Sequence, residues 1–257
     1  MLNLKHKLKK NELTVGSWIT LGAPTIAEIM ARQEFDWLVV DMEHSAISLP
    51  QAQQLIQIIE LSGVVPLVRV GENNPLLIKR VMDAGAQGVV VPMVNSRQSA
   101  MQAVAAVQYP PKGMRGVGLG RALGYGESFE SYKKWNASSS VVIAQIEHIK
   151  AIENLEGILT VDGIDATIIG PYDLSASLGY PGKFNHPSVK DALKRYAYVC
   201  KKLQKPMGIH VISPEIRELK KAFTTGYKFV ARSLDTLFLI ESLRDGQAEI
   251  RQYKKKG

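Results

Sequence analysis

The sequence contains very little cysteine and no long apolar run. Its single cysteine, Cys200, excludes a framework of internal disulfide bonds and fits a reducing cytoplasm. Because Cys200 lies in an apolar-periodic stretch, we expect a buried thiol rather than a reactive one. No apolar segment is long enough for a membrane helix, and no signal region follows the basic N-terminus, which we predict to form a surface helix. We therefore expect a cytoplasmic protein without a membrane partner.

A basic stripe interleaved with aromatic residues is also lacking, although the formal net charge is +8. Much of the excess positive charge lies in two terminal clusters, at residues 5–10 and 254–256. Such clusters are typical of a solvated surface, and we expect no nucleic-acid partner. The positive charge would instead favour the approach of an anionic small-molecule substrate.

Short apolar, β-branched runs alternate with amphipathic helical stretches along the chain. Continuous apolar runs are typical of parallel strands that are covered on both faces. Their number and the chain length predict a single-domain α/β protein, a (β/α)8 TIM barrel over residues 1–257. The alternative is an open doubly wound sheet, but residues 21–24 after the first run lack the glycine-rich dinucleotide fingerprint. The predicted strands are 15–21, 37–42, 66–70, 89–94, 141–146, 166–169, 207–211 and 228–231.

Six helices are predicted between these strands, and one long stretch between them is irregular. The irregular stretch, from about residue 109 to residue 140, is typical of an active-site lid or an insertion. Asn74 before Pro75 and Ser213 before Pro214 are the cap-then-proline pairs that begin helices. The predicted helices are 25–33, 50–61, 75–84, 96–107, 186–203 and 214–225.

Polar side chains stand where the predicted strands end. In (β/α)8 barrels the carboxyl ends of the strands carry the reactive residues, and polar groups beside apolar strands cost desolvation unless they are used. The sequence therefore predicts a site at this end of the barrel. Its candidate residues are Asp41, His44, Arg69, Gln145, Glu147, Gly170, Pro171, Tyr172, Asp173 and Leu174.

Two of these candidates, Glu147 and Asp173, are the predicted metal ligands. Two carboxylates completed by water suit a hard cation such as Mg²⁺ or Mn²⁺. The alternative is a pair of surface carboxylates at strand ends. Residues 170–171 before a short helix also place the backbone amides of Asp173 and Leu174 where they can hold a carboxylate.

The sequence allows two interpretations each for the roles of Arg69 and His44. A guanidinium within an apolar strand needs an anion, which is either a structural ion-pair partner or the planar carboxylate of a substrate. His44 follows Asp41 by three residues and could be a base held by that carboxylate, or an exposed loop histidine. His148 and His210 are interpreted as structural or as neighbours that support the site residues, and Asp83 by itself as a helix-terminal carboxylate.

Several segments, in the same order along nearly the whole chain, resemble the HpcH/HpaI aldolases, metal-dependent class II pyruvate aldolases of the phosphoenolpyruvate/pyruvate-binding barrel superfamily. The segment FDWLVVDMEH at residues 35–44 is similar to the second-strand motif of that family. The other similar segments are PLVRV (66–70), DAGAQG (83–88), VPMV (91–94), YPPKG (109–113), RGVG (115–118), QIE (145–147) and GPYDLSASLG (170–179).

The resemblance implies roles for these residues. Glu147 and Asp173 would coordinate a divalent metal, Mg²⁺, Mn²⁺ or Co²⁺, while Arg69 and the amides after Gly170 would hold the pyruvyl group. His44, supported by Asp41, matches the acid/base position, and Gln145 lies in a matching segment of the substrate site. Asp83 matches a residue that the family places near a neighbouring subunit's site. The resemblance also implies a homo-oligomer, often a hexamer, in which partners exchange a helix.

The expected reaction joins or separates pyruvate, or a related oxo acid, and an aldehyde by way of a pyruvate enolate. Substrates would be 4-hydroxy-2-oxo acids such as 4-hydroxy-2-oxoheptanedioate or 2-dehydro-3-deoxy sugar acids. The alternatives are oxaloacetate decarboxylation, a citrate-type condensation, and a non-catalytic oxo-acid-binding protein. A Schiff-base aldolase needs a lysine inside the barrel, and no predicted strand ends in one.

Some positions depart from the family pattern, and we expect them to shape the aldehyde-binding side of the site, so the identity of the aldehyde stays open. Tyr172 replaces a small residue, His210 is an additional polar group, and the glycine-rich loop at 118–126 is a variant. Within that loop, Arg121 either binds a distal carboxylate of the substrate or lies on the surface.

Overall fold

Eight parallel strands form a closed barrel in the computed structural model, which describes residues 3–255. Each strand pairs with the next one along the chain, and β8 pairs with β1. The predicted (β/α)8 architecture is confirmed, and the predicted strands differ from the observed ones only at their ends. The strands are β1 Thr14–Ile19, β2 Trp37–Asp41, β3 Val65–Arg69, β4 Gly88–Val91, β5 Val141–Ile146, β6 Ala166–Ile169, β7 Gly208–Val211 and β8 Phe229–Leu234.

Helices connect the strands and surround the barrel. Several form where apolar periodicity and caps agree: α4 begins after Asn74, whose side chain accepts hydrogen bonds from the amides of Leu76 and Leu77, and α11 ends at Gly226 with φ of 100°. The helices are α1 Leu4–Lys9, α2 Pro24–Ala31, α3 Leu49–Leu61, α4 Pro75–Asp83, α5 Arg97–Val107, α6 Phe129–Ser139, α7 Ile149–Glu153, α8 Leu155–Leu159, α9 Pro171–Ser177, α10 Pro187–Lys202, α11 Ile216–Thr225 and α12 Asp235–Lys254, with a 3-10 segment at Arg121–Gly126.

The stretch predicted to be irregular, residues 109–140, is more ordered than expected. It contains the 3-10 segment and α6. Only Asn136 of α6 is buried, so this helix lacks the apolar periodicity by which amphipathic helices are recognised. Aromatic contacts replace that pattern: the Tyr132 and Trp135 rings stack at 5.3 Å.

The N-terminal helix α1 is not the surface helix that was predicted. Leu4 and Leu8 are buried and belong to the same apolar cluster as Trp37 and Phe229 of the barrel interior. Lys5 is also buried, and its ammonium group bonds to the carboxylate of Asp165 at 3.0 Å. The helix therefore closes the end of the barrel at which the strands begin. Met1, Leu2 and Lys256, which belong to the predicted terminal segments, lie outside the described residues.

The interior of the barrel is filled by large side chains above this closed end. The Trp37 and Phe229 rings stack at 4.1 Å, and a Cβ atom on Gly16 would lie 2.2 Å from the Trp37 ring. Glycine at position 16 is thus required by packing. Since this end is filled and closed, open space is left at the opposite end, where the strands finish.

Cys200 is fully buried on α10, as predicted, and burial raises the pKa of its thiol to about 12. Such a thiol is not a nucleophile at neutral pH. Across residues 3–255, none of the helices has the length and apolar character required to cross a bilayer. The cytoplasmic location inferred from the low cysteine content stays a prediction.

Candidate active site

A cavity of about 550 Å³ opens at the carboxyl ends of the strands. Its volume is within the range of small-molecule sites. Eight of the predicted site residues line it: Asp41, His44, Arg69, Gln145, Gly170, Pro171, Tyr172 and Asp173. They come from distant parts of the sequence and meet because parallel strands of a barrel all end at one rim.

Glu147 lies at this rim just past β5 and is 5% exposed. Its Oε1 accepts a hydrogen bond from the amide of Met93 at 2.7 Å, and its Oε2 accepts one from Gln145 Nε2 at 2.5 Å. Met93 has φ of 52°, a strained conformation for a side chain of this size, which turns its amide towards the carboxylate. The Glu147 carboxylate is therefore held in one orientation, and Gln145 is a positioning group for it.

The carboxylates of Glu147 and Asp173 approach each other across Gly170. A Cβ atom on Gly170 would lie 3.5 Å from Glu147 Oε2 and 3.7 Å from Asp173 Oδ2. The small space that a side chain would fill is thus bordered by two carboxylate oxygens, which are the ligand type of a hard cation. Across residues 3–255, no group of three or more His, Cys, Asp or Glu side chains is arranged to hold a metal. A cation at this point would take its other ligands from water and substrate.

Arg69, at the end of β3, forms a bidentate ion pair with Asp41. Its Nε is 2.9 Å from Asp41 Oδ1 and its Nη2 is 2.6 Å from Oδ2. The guanidinium also lies 4.3 Å from the Trp18 ring and 3.2 Å from Glu43 Oε2. Only Nη1 makes no hydrogen bond within residues 3–255. Two nitrogens of Arg69 therefore bind a structural partner, which confirms that interpretation, and its third nitrogen leaves a donor free in a residue that lines the cavity.

Burial and neighbouring charges shift the pKa values of Asp41 and Glu43, the two carboxyl groups beside Arg69, in opposite directions. Burial raises the pKa of Asp41, but the hydrogen bonds and charge of Arg69 and two backbone amides outweigh burial, so the pKa is lowered. For Glu43 burial prevails, and repulsion from Glu147 adds to it, so its pKa is raised despite Arg69. Asp41 is thus fixed as an anion, whereas Glu43 is closer to accepting a proton.

The structure does not show the predicted contact between the His44 imidazole and the Asp41 carboxylate. Asp41 accepts a hydrogen bond from the His44 backbone amide at 3.3 Å, and its oxygens are otherwise occupied by Arg69 and the Glu43 amide. The imidazole lies instead 3.7 Å from Glu43 Oε2, and the side chain is 68% exposed. Glu43, which was not among the predicted site residues, is therefore the acidic neighbour of His44.

The amides after Gly170 also differ from expectation. The Leu174 amide donates to the carbonyl of Gly170 at 3.0 Å as the first turn of α9 forms, and its side chain is fully buried. The Asp173 amide has no partner within residues 3–255. Of the two amides predicted to hold a carboxylate, one is therefore available.

Asp83 and Arg121 do not lie in this cavity. Helix α4 runs from the carboxyl end of β3 towards the amino end of β4, so Asp83, its last residue, lies at the other end of the barrel. It binds Arg115, at 2.6 Å, and Arg121 bonds to Glu60 beside a separate cavity of about 520 Å³. Within one chain, neither side chain is among those that line the cavity at the strand ends.

The cavity has two chemically different walls. The charged wall consists of Asp41, Arg69 and Asp173, which line the cavity, together with Glu147, whose carboxylate lies beside the lining residue Gly170. The apolar wall consists of Tyr172, Phe184, Leu193 and Ile212, which line the cavity on the side of α9, α10 and β7. The Tyr172 and Phe184 rings contact edge to face at 4.8 Å.

Two further residues line the cavity: Trp18, which was not predicted, and His210, which was predicted as an additional polar group on the aldehyde side. The rings of Trp18 on β1 and His210 on β7 are 5.3 Å apart. Trp18 Nε1 is buried without a hydrogen-bond partner within residues 3–255. Trp18 lies within a short apolar strand, and only the inward direction of its side chain, which the sequence does not display, identifies it.

Comparisons with known proteins agree with this arrangement. The model of the HpcH/HpaI aldolase/citrate lyase family matches residues 14–242. A 2-keto-3-deoxy-L-rhamnonate aldolase from Salmonella paratyphi B is 36% identical over 241 residues, which cover 93% of this chain and 89% of that protein. A crystal structure of an HpcH/HpaI aldolase/citrate lyase family protein from Burkholderia cenocepacia has a TM-score of 0.91 and 30% identity, with 98% of this chain and 100% of that chain covered. The citrate synthase SbnG has a TM-score of 0.85 and 26% identity, with 99% and 100% covered.

Proposed function

This chain belongs to the HpcH/HpaI aldolase/citrate lyase family, and we propose that it cleaves and forms 2-dehydro-3-deoxy sugar acids by way of a pyruvate enolate. It is a carbon–carbon lyase of the class II pyruvate aldolase type. The observation that carries the choice of chemistry is the pair of carboxylates, Glu147 and Asp173, that border one small space beside Gly170. The choice of sugar acids is supported by the rhamnonate aldolase relative.

The family is metal-dependent, and the donor set fits a divalent cation. We propose that Glu147 and Asp173 hold Mg²⁺, Mn²⁺ or Co²⁺, because two carboxylates leave coordination positions free for substrate oxygens and water. Such a cation supplies stabilisation of the negative charge that develops on the oxo acid when the carbon–carbon bond breaks. Gln145 and the Met93 amide support this role by fixing the Glu147 carboxylate.

Arg69 is proposed to orient the oxo acid. Its bidentate bond to Asp41 and its contact with Trp18 fix the guanidinium plane, and the free Nη1 can donate to the substrate carboxylate. The unpaired amide of Asp173 adds a second donor. Cleavage of the C3–C4 bond leaves its electron pair on the pyruvyl part, which therefore has to be held while the aldehyde leaves.

We propose that His44 moves the proton in this step. Cleavage requires the 4-hydroxyl group to lose a proton, and a positioned base contributes about 10²- to 10⁴-fold to such a reaction. His44 lines the cavity, and its exposed imidazole can act through water. Glu43, whose pKa is raised, is the neighbouring group with which the imidazole can share a proton.

A substrate screen with and without a chelator tests the proposal. Purified protein is incubated with 2-dehydro-3-deoxy sugar acids, 4-hydroxy-2-oxoheptanedioate and oxaloacetate, and pyruvate release is measured with Mg²⁺, Mn²⁺ or Co²⁺. We expect fastest release from a sugar acid, with loss of activity in chelator and recovery on adding metal. Turnover of oxaloacetate alone would favour decarboxylation. Formation of citrate and free thiol when an acetyl thioester is added together with oxaloacetate would favour the condensation suggested by the likeness to citrate synthase SbnG. If none of these substrates is turned over, the remaining interpretation is a non-catalytic protein that binds an oxo acid.

We further propose that the chain acts as a homo-oligomer, with a hexamer as the expected state. The last helix, α12, exposes Leu239, Ile240 and Leu243, a row of apolar side chains that a partner subunit could cover. Asp83, far from the cavity of its own chain, would then lie near a neighbour's site. Light scattering after size-exclusion chromatography tests this proposal, and a mass equal to one chain of 28.3 kDa would contradict it.

A further inference from the structure

The hydrogen bonding of His210, which lines the cavity, determines which of its two ring nitrogens carries the proton. Its Nε2 lies 2.8 Å from the carbonyl oxygen of Ser233. Because a carbonyl oxygen can only accept a hydrogen bond, Nε2 carries the proton. The other ring nitrogen, Nδ1, is then a lone-pair acceptor, and it makes no hydrogen bond within residues 3–255.

The backbone around Ser233 is built to hold this arrangement. Ser233 has φ of 48°, and the pairing of β8 with β1 shifts register beside it. A non-glycine residue in this conformation costs on the order of 1–3 kcal/mol, so the surrounding structure must maintain it. The Ser17 hydroxyl contributes by donating to the carbonyl oxygens of Arg232, at 2.8 Å, and of Ser233, at 3.3 Å.

The charge state of His210 follows from its place in the barrel. Burial lowers its pKa to about 4, although the Ser233 carbonyl acts in the opposite direction, and the charge of Arg69 lowers the pKa further while that of Asp41 raises it. The ring is consequently neutral at physiological pH. A neutral acceptor attracts a hydrogen-bond donor and offers nothing to a carboxylate.

His210 stands across the barrel from the charged wall, at the same height. Ile209 is paired with Ile169, so His210 is level with Gly170 and hence with the two carboxylates beside it. Strand β7 lies opposite β3, which carries Arg69. A substrate whose pyruvyl end is held by Arg69 would extend its other end towards β7, where His210 Nδ1 is an acceptor without a partner within residues 3–255.

We infer that Nδ1 of His210 accepts a hydrogen bond from a hydroxyl group in the aldehyde-derived part of the substrate. This inference rests on the proposed aldol function and narrows its substrates. It makes His210 a specificity residue that favours chains with hydroxyl groups over chains that end in a carboxylate or an alkyl group. A site that leaves such an acceptor unpaired rejects the analogue that lacks the donor.

The variants His210→Leu and His210→Gln test the inference with three substrates. These are a 2-dehydro-3-deoxy sugar acid, 4-hydroxy-2-oxopentanoate, whose aldehyde part ends in methyl, and oxaloacetate, which has no aldehyde part. For His210→Leu we expect kcat/KM to fall about 10- to 100-fold for the sugar acid, the effect of one buried hydrogen bond, and to stay within about 2-fold for the others. His210→Gln, which keeps an acceptor oxygen, should recover part of the loss.

The outcomes separate this inference from the proposed function. If the unmodified protein cleaves sugar acids and His210→Leu lowers all three activities equally, His210 is structural and the inference fails while the aldol function stands. If the unmodified protein cleaves neither aldol substrate, both fail. Unchanged sugar-acid cleavage in His210→Leu would contradict the inference alone.

A binding measurement gives a readout that does not depend on turnover. In protein with ¹⁵N-labelled histidine, the resonance missing from His210→Leu identifies the His210 ring. Nδ1 should have the shift of an unprotonated nitrogen at pH 7, and it should move when an uncleavable sugar acid reduced at C2 is added, but not when butyrate is added. A protonated Nδ1, or equal shifts with both ligands, would overturn the inference.

Discussion

The charged wall and the apolar wall of the cavity differ in how their side chains are held. On the charged wall, Arg69 and Glu147 are fixed by bonds of 2.5 to 2.9 Å to neighbouring groups. On the apolar wall, Tyr172 is 62% and Ile212 is 45% exposed, and packing alone places them. Rigid polar groups suit a step in which charge develops at fixed atoms, whereas a loosely enclosed apolar surface suits an end of the substrate that varies. On the proposed function, the first wall would serve the enolate chemistry and the second the choice of aldehyde.

Breaking the charged wall should give the largest effect. Glu147→Gln removes one of the two carboxylates beside Gly170. Because metal-assisted stabilisation of the developing negative charge is worth several kcal/mol, kcat should fall about 10³-fold or more. Steady-state kinetics with saturating metal measure it. Glu153→Gln, at an exposed position of α7, is the matched control and should retain full activity. Unchanged turnover in Glu147→Gln would remove this residue from the mechanism.

Arg69→Lys should have the next largest effect. Lysine cannot form the bidentate bond to Asp41 and at the same time keep a donor directed at the substrate, so orientation is lost. Misplacement of this kind costs up to about 10²-fold, and we expect it mainly as a rise in KM for the oxo acid. Arg97→Lys, on the outer helix α5, serves as the comparison. A normal KM in Arg69→Lys would show that Arg69 does not hold the oxo acid and serves only its neighbours within the protein.

A substitution on the apolar wall should change selectivity more than rate. Tyr172→Ala removes the edge-to-face contact with Phe184 and enlarges the aldehyde side, so we expect relative kcat/KM for different aldehydes to change by about 10-fold, in line with a side chain of this size. Oxaloacetate turnover should remain within a factor of about 2, since it uses only the charged wall. If Tyr172→Ala lowered kcat/KM equally for every substrate, Tyr172 would share the function of the charged wall and would not select the aldehyde.

The smallest effect concerns stability. His210 has a folded-state pKa of about 4 against an ordinary value of 6.5, so between pH 7 and pH 5 the unfolded chain takes up a proton that the folded chain does not. When the pH decreases from 7 to 5, the free energy of unfolding should therefore decrease by roughly 1–2 kcal/mol more in the unmodified protein than in His210→Leu. This range allows for solvent in the open cavity, which screens part of the effect. Urea unfolding at both pH values measures the difference. A parallel pH dependence in the two proteins would show that His210 titrates normally when folded.

The barrel and the charged wall were largely predictable, and for the same reason. Strand ends are visible as the points where apolar runs such as residues 141–146 meet polar residues, and a barrel brings all of these ends together. The error about His44 arose within this scheme, because sequence spacing suggested Asp41 as its partner while the bidentate bond to Arg69 occupies that carboxylate. The partner of a side chain depends on competition among neighbours, which spacing does not reveal.

By itself, the sequence determined that the chain alternates strands with helices and that carboxylates, an arginine and a glycine-proline turn stand at the strand ends. Those features follow from local periodicity and from the cost of placing polar groups beside apolar ones. Only the tertiary structure decided that α1 closes the base of the barrel, that Glu43 lies beside His44, and that Nε2 of His210 bonds to the carbonyl of Ser233. Each of these depends on residues far apart in sequence, or on the direction of a side chain, and the folded backbone alone fixes both.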